Sequence, residues 1–107
     1  MKSDRDRSPQ VAVIGDSDAS AEACAAAEQI GEMLARHGVT LITGGRGGVM
    51  EAASRGARRA GGMAIGILPS ADMKDANPWC SVVIPTGLGH ARNVLTVLAC
   101  DLVISLG

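Results

Sequence analysis

The stretch TLITGGRGGVMEAASRG, residues 40–56, decides the fold. A β-rich apolar run, VTLIT at 39–43, meets four glycines and an arginine at 44–48. A helical pattern from about 48 to 60 then sets Val49, Ala53, Ala57 and Ala60 on one face, and Gly61 and Gly62 stop it. Glycine costs roughly 0.5–1 kcal/mol relative to alanine inside regular structure, so such a cluster marks backbone that bends sharply or approaches something closely. Strand, glycine turn and helix in that order form part of a βαβ unit.

The same grammar extends to both sides. VAVI at 11–14 ends at Gly15 and reads as a buried strand, and residues 20–37 follow as a helix with Ala23, Ala27, Ile30 and Leu34 on one face. That helix closes on His37, with Gly38 at the left-handed cap position. MAIGIL at 63–68 is a third strand ended by Pro69, SVVI at 81–84 a fourth and LVISL at 102–106 a fifth. A helix over about 90–99 is expected to carry Ala91, Val94, Leu95 and Leu98 inward. Strands apolar on both faces that alternate with amphipathic helices give α/β architecture: one domain, 10–107, with a doubly wound parallel sheet of about five strands. Residues 1–9 read as a flexible lead-in. PSADMKDANPWC, between the third and fourth strands, is too short and polar for a full crossover helix, and reads as a loop that carries the chain across the switch point.

Composition narrows the function. The chain has 107 residues, Trp79 as its one aromatic residue, and ten basic against eleven acidic side chains for a net charge of −1. That balance, with no aromatic stacking platform, argues against nucleic acid as a partner. No apolar run approaches the length of a membrane span and no signal peptide opens the chain, so a cytoplasmic protein without a membrane partner is expected. Cys24, Cys80 and Cys100 are odd in number and in no CxxC arrangement, which argues for free thiols and no metal site.

Ligands of open parallel sheets bind outside the carboxyl ends of the strands, and the suggestive residues fall there. The first strand delivers Gly15, Asp16 and Ser17, the second Thr43 and then Gly44, Gly45, Arg46, Gly47 and Gly48, and the fourth PTGLGHARN with His90 and Arg92. Gly45-x-Gly47-x-x-Met50 lacks the third position of the dinucleotide fingerprint, and no Lys-Ser/Thr follows for a P-loop. Two readings of the glycines therefore stand, a phosphate cradle and a tight helix–strand turn. Arg46 and Arg92 each sit at the start of a helix, where a cation opposes the macrodipole, which is better explained by a facing anion than by solvent. Asp16, Thr43 and Ser17 could meet a ribose or a base edge, although Ser17, Asp18 or Ser20 could cap the next helix, which is the preferred reading for all but Asp16. His90, Arg55, Arg58 and Arg59 read as solvated, and Trp79 is as well suited to cover a sheet edge as to touch a ligand.

VAVIGDSD, TLITGGRGGVMEAASRGARRAGGMAIGILP and GLGHARNVLTVLACDLVISLG together resemble the LOG-like Rossmann superfamily, from about Val11 onward. That group includes the cytokinin-activating phosphoribohydrolases, once called lysine decarboxylases, and the molybdenum cofactor carrier proteins. GHARN in place of Met-x-x-Arg-Lys points to the carrier-like branch. The resemblance implies that Gly15 and Asp16 edge a ligand site, that Gly44, Gly45, Gly47 and Gly48 with Arg46 line a phosphate region, and that Arg92 matches the superfamily's active-site arginine. It also implies that LVISLG leads to a Gly-Gly-x-Gly-Thr-x-x-Glu loop, of which Gly107 is the first residue, so half the site and its catalytic glutamate are expected to be missing. The expectation is a homodimeric binder of a nucleotide or a molybdopterin-type cofactor, with no catalytic residue and an exposed apolar edge at the last strand. A phosphoribohydrolase acting on nucleoside 5′-monophosphates, should the chain continue into that loop, and a fragment without function are the alternatives.

Overall fold

The computed structural model describes residues 7–106; residues 1–6, most of the expected lead-in, and Gly107 lie outside the described residues. Five strands form one sheet: β1 (Gln10–Gly15), β2 (Thr40–Thr43), β3 (Ala64–Leu68), β4 (Val82–Pro85) and β5 (Leu102–Leu106). All pairs are parallel, in the order β4-β3-β2-β1-β5. The helices are α1 (Ala21–Arg36), α2 (Val49–Arg59) and α3 (Arg92–Leu98). The doubly wound α/β reading of the sequence therefore stands.

Local chemistry sets the element ends. Ser20 caps α1 by accepting the Ala23 N–H at 3.1 Å, and Gly38 leaves the helix at φ 72°. Val13, Leu41, Ala64 and the inner faces of α1 and α2 form one core layer; Ala12, Ile42 and Ile67 form the other, beneath α3. Full burial of side chains such as Leu41, Ile42 and Leu68 is worth about 1.5–3 kcal/mol each. The two long helices touch backbone to backbone, because a Cβ on Gly31 would strike the Ala53 carbonyl and one on Gly56 the Glu28 carbonyl.

The structure corrects two expectations. The link from β3 to β4 holds only a single 3₁₀ turn, Met73–Asp75, and leads to an adjacent strand. It does not cross the switch point; the passage from β4 through α3 to β5 does, returning the chain to the far side of β1. The second correction concerns α3, whose expected inward residues are exposed, Val94 at 59% and Leu98 at 77%, while Thr96 is 3% exposed. The side chain of Arg92, bonded to the sheet, fixes the helix's rotation, so the inner stripe is Arg92, Thr96, Ala99 and Cys100.

The basic face of α2 also differs from a solvated one. Arg55 Nε lies 3.1 Å from Glu28 on α1, Arg58 donates to the Trp79 carbonyl, and the Arg59 guanidinium stands 5.4 Å from the centre of the Trp79 ring. Trp79 thus covers the outside of α2. Burial pushes the Cys80 thiol up from its ordinary pKa, and the three cysteines are free.

Candidate functional site

Strand order reverses at β1, with β2 on one side and β5 on the other, and such a reversal leaves a crevice at the carboxyl edge. A cavity of about 620 Å³ opens there, walled by Ile14, Gly15, Asp16 and Ser17 from β1 and its loop, and by Ser105 and Leu106 from β5. Gly44 and Met50 form its side toward β2 and α2, and His90, Arg92, Asn93, Thr96 and Val97 its side toward α3. A second lobe of about 370 Å³ is lined by Arg46, Gly47, Pro69 and Gly89. Ser17, Met50, His90 and Arg92 line both lobes.

Arg92 is the keystone of this arrangement. Its Nη1 donates to the carbonyl of Gly44 at 2.7 Å and to that of Ile67 at 2.8 Å, spanning the ends of β2 and β3. Its Nε donates to Asn93 Oδ1 at 2.7 Å. Gly44 makes room for the guanidinium, since a Cβ there would collide with Arg92 Nη1 and lie 2.7 Å from Met50 Sδ. Partial burial, and then the charge of Arg46, pull the Arg92 pKa below its ordinary value. Among the described residues neither arginine has a carboxylate partner.

The glycine turn divides between packing and lining. Gly45, at φ 78°, donates to Thr43 Oγ1, and a Cβ on it would lie 2.8 Å from Leu68 Cδ2. Gly48, at φ 64° and ψ −128°, lies so close to the β1–α1 loop that its Cβ would strike the Asp16 carbonyl. The first helical N–H that follows, from Val49, donates to that same carbonyl at 3.1 Å. Gly44 and Gly47 border the two lobes instead.

Of the residues expected at the site, the structure brings Gly15, Asp16, Gly44, Arg46, Gly47 and Arg92 to the cavity walls. Gly45 and Gly48 stand behind them as packing residues. Thr43 is fully buried, its hydroxyl engaged by Gly45, and does not line the cavity. Ser17 lines both lobes, and Ser20 is the cap of α1. His90, read as solvated, lines both lobes as well.

Other contributors were invisible in sequence. Asn77, in the link thought merely polar, donates its N–H to the Gly45 carbonyl at 2.8 Å and its Nδ2 to the Arg46 carbonyl at 2.9 Å, pinning the turn. Met50 occupies the position at which the dinucleotide fingerprint would place glycine, so the departure from that motif marked a lining residue. Asn93, Thr96 and Ser105 reach the site only through the tertiary placement of α3 and β5.

Comparison with known proteins shows the family and the fold. The model of the SLOG cluster4 family matches residues 8–107. An uncharacterized protein of Archaeoglobus fulgidus is 43% identical over 99 residues, covering 92% of this chain and 64% of that protein. The molybdenum cofactor binding protein of the phototrophic bacterium Rippkaea orientalis superposes with a TM-score of 0.93 at 43% identity, over 95% of this chain and 64% of that one. The molybdenum cofactor carrier protein of Chlamydomonas reinhardtii superposes with a TM-score of 0.83 at 35% identity, over 92% of this chain and 62% of that one. The chain thus spans less than two thirds of the length of these relatives. No helix among the described residues is long and apolar enough to cross a membrane.

Proposed function

The chain belongs to the SLOG cluster4 family, on the molybdenum cofactor carrier side of the LOG-like superfamily, and from that premise we propose that it binds a phosphate-bearing molybdopterin-type cofactor at the carboxyl edge of its sheet, as a carrier. One observation carries the reading: Arg46 and Arg92 line the same smaller lobe, which no carboxylate among the described residues lines, so two like charges share it. An anion between them removes that repulsion, and charge-assisted hydrogen bonds give it strength. The larger lobe suits the rest of the ligand, with Asn93, Thr96 and Ser105 offering polar contacts to a heterocycle's edge and Ile14, Val97 and Leu106 apolar cover. In this reading Gly15, Asp16, Gly44, Arg46, Gly47 and Arg92 meet the ligand, and Thr43, Gly45 and Gly48 hold the turn that presents them. The reading takes the protein to act in the cytoplasm, and as a homodimer through the exposed side of α3.

Calorimetric titration of a molybdopterin-type ligand, AMP and GMP tests this. The cofactor should bind best, and Arg46→Ala should weaken it about ten- to hundredfold, as expected for a lost charge-assisted bond. Preference for a nucleotide would replace the carrier reading with a nucleotide-binding one. If none of the three binds to folded protein, the phosphate site is abandoned.

A further inference from the structure

The smaller lobe contains a third ionisable nitrogen base. Its side chains come from Ser17, Arg46, Met50, Pro69, His90 and Arg92, alongside two glycines, so two fixed positive charges share it with one imidazole and no acid. The charged groups facing His90 across both lobes are Arg46 from the β2–α2 turn, Arg92 from α3, and Asp16 from the β1–α1 loop, the last in the larger lobe alone. His90 is exposed, and among the described residues no hydrogen bond reaches its ring, so the imidazole is open to the lobe.

With the lobe empty of anion, protonating His90 adds a third like charge beside two arginines. With a dianion seated, the same proton joins an attractive pair. Occupancy and protonation are therefore linked: each favours the other.

We propose that His90 is a titratable third cation of the smaller lobe, so that this lobe grips a tetrahedral oxyanion, the phosphate end of the ligand, more tightly as pH falls from 8 to 5.5. The inference rests on the anion-site reading above and adds the group that tunes it. Imidazole is the side chain whose ordinary titration falls in that interval. The sign is fixed by linkage: a bound anion moves the His90 titration to higher pH, and affinity falls as pH rises through it. A displacement of roughly one pH unit, the size an opposite charge a few ångströms away produces, corresponds to about a tenfold change in affinity.

Sulfate is the probe, because it stays a dianion over this interval whereas a phosphate monoester itself takes up a proton near pH 6. The chain has two histidines, and His37 caps the far end of α1 with Nδ1 2.7 Å from the Met33 carbonyl, which makes it an internal reference. Imidazole proton resonances of both would be followed from pH 5 to 9 with and without saturating sulfate, with calorimetric affinities at pH 5.5 and 8. His90 should titrate about one unit higher with sulfate while His37 does not move, and His90→Gln should flatten the pH dependence of affinity. Sulfate that binds, weakened by Arg46→Ala, with no movement of the His90 titration would overturn this proposal and leave the anion site standing. Absence of sulfate binding at every pH would overturn both.

Discussion

Arg92 Nη1 sits 2.7 Å from the carbonyl oxygen of Gly44, forty-eight residues away in sequence, and so fastens the start of α3 to the end of β2. The same nitrogen holds the Ile67 carbonyl of β3. One guanidinium therefore does two jobs, tying the sheet's carboxyl edge together and supplying positive charge to both lobes.

Removing that side chain should cost stability as well as binding. Arg92→Ala leaves two partly buried carbonyls without their donor, and a loss of about 1.5–3 kcal/mol is expected from hydrogen bonds to a charged group. Arg92→Lys should recover part of it, since an ammonium can reach one carbonyl but cannot reproduce the planar fork. Urea denaturation of the three proteins checks the order, and equal midpoints would show that the bonds to Gly44 and Ile67 contribute nothing.

Gly47 and Gly48, adjacent in the turn, should respond differently to a methyl group. Gly48→Ala places a Cβ against the Asp16 carbonyl on a backbone at φ 64°, so a loss of at least about 1–3 kcal/mol is expected. At Gly47 the nearest atom to an added Cβ is the Ser17 carbonyl oxygen, 3.8 Å away, and φ is not positive. Gly47→Ala should fold with near wild-type stability; thermal melts of both proteins decide it.

Acid should loosen the start of the sheet. Arg7 donates to both carboxylate oxygens of Asp101, and the Gln10 N–H donates to one of them, which together hold the Asp101 pKa down at about 2 from 3.8. A carboxyl whose folded pKa is depressed contributes stability that is full above its unfolded value, here near pH 4, and is lost as pH falls through about 2. Asp101→Asn should therefore remove a component of the acid limb of unfolding between those values. Carboxyl carbon titration by NMR would find Asp101 near 4 if the clamp does not form.

Exposed α3 gives the homodimer proposal its test. Val94, Val97 and Leu98 are 59%, 50% and 77% exposed, so changing Leu98 should alter folding stability by no more than about 0.5 kcal/mol. Leu98→Lys with Val94→Lys should weaken self-association about tenfold or more if these residues form the centre of an interface. Sedimentation equilibrium of both proteins measures it, and a wild-type chain that stays monomeric at the highest concentration defeats the idea.

Local pattern determined a good deal of this molecule. The five strands, the places where α1 and α2 begin and end, and the burial of Val49, Ala53 and Ala57 follow from hydrophobic period and glycine punctuation, because neighbours in sequence supply those signals. The crevice at the carboxyl edge follows from parallel order, and Gly15, Asp16, Gly44, Arg46, Gly47 and Arg92 were legible as its border for that reason. Tertiary structure alone decided which face α3 turns inward, because a bond from Arg92 to two distant carbonyls outweighs the apolar stripe of a seven-residue helix. It alone separated Gly45 and Gly48, pressed against β3 and the Asp16 carbonyl, from Gly44 and Gly47, which border the lobes. It alone set Asn77 against the glycine turn and Ser105 in the cavity wall, since contacts between residues tens of positions apart leave no local periodicity for a sequence to display.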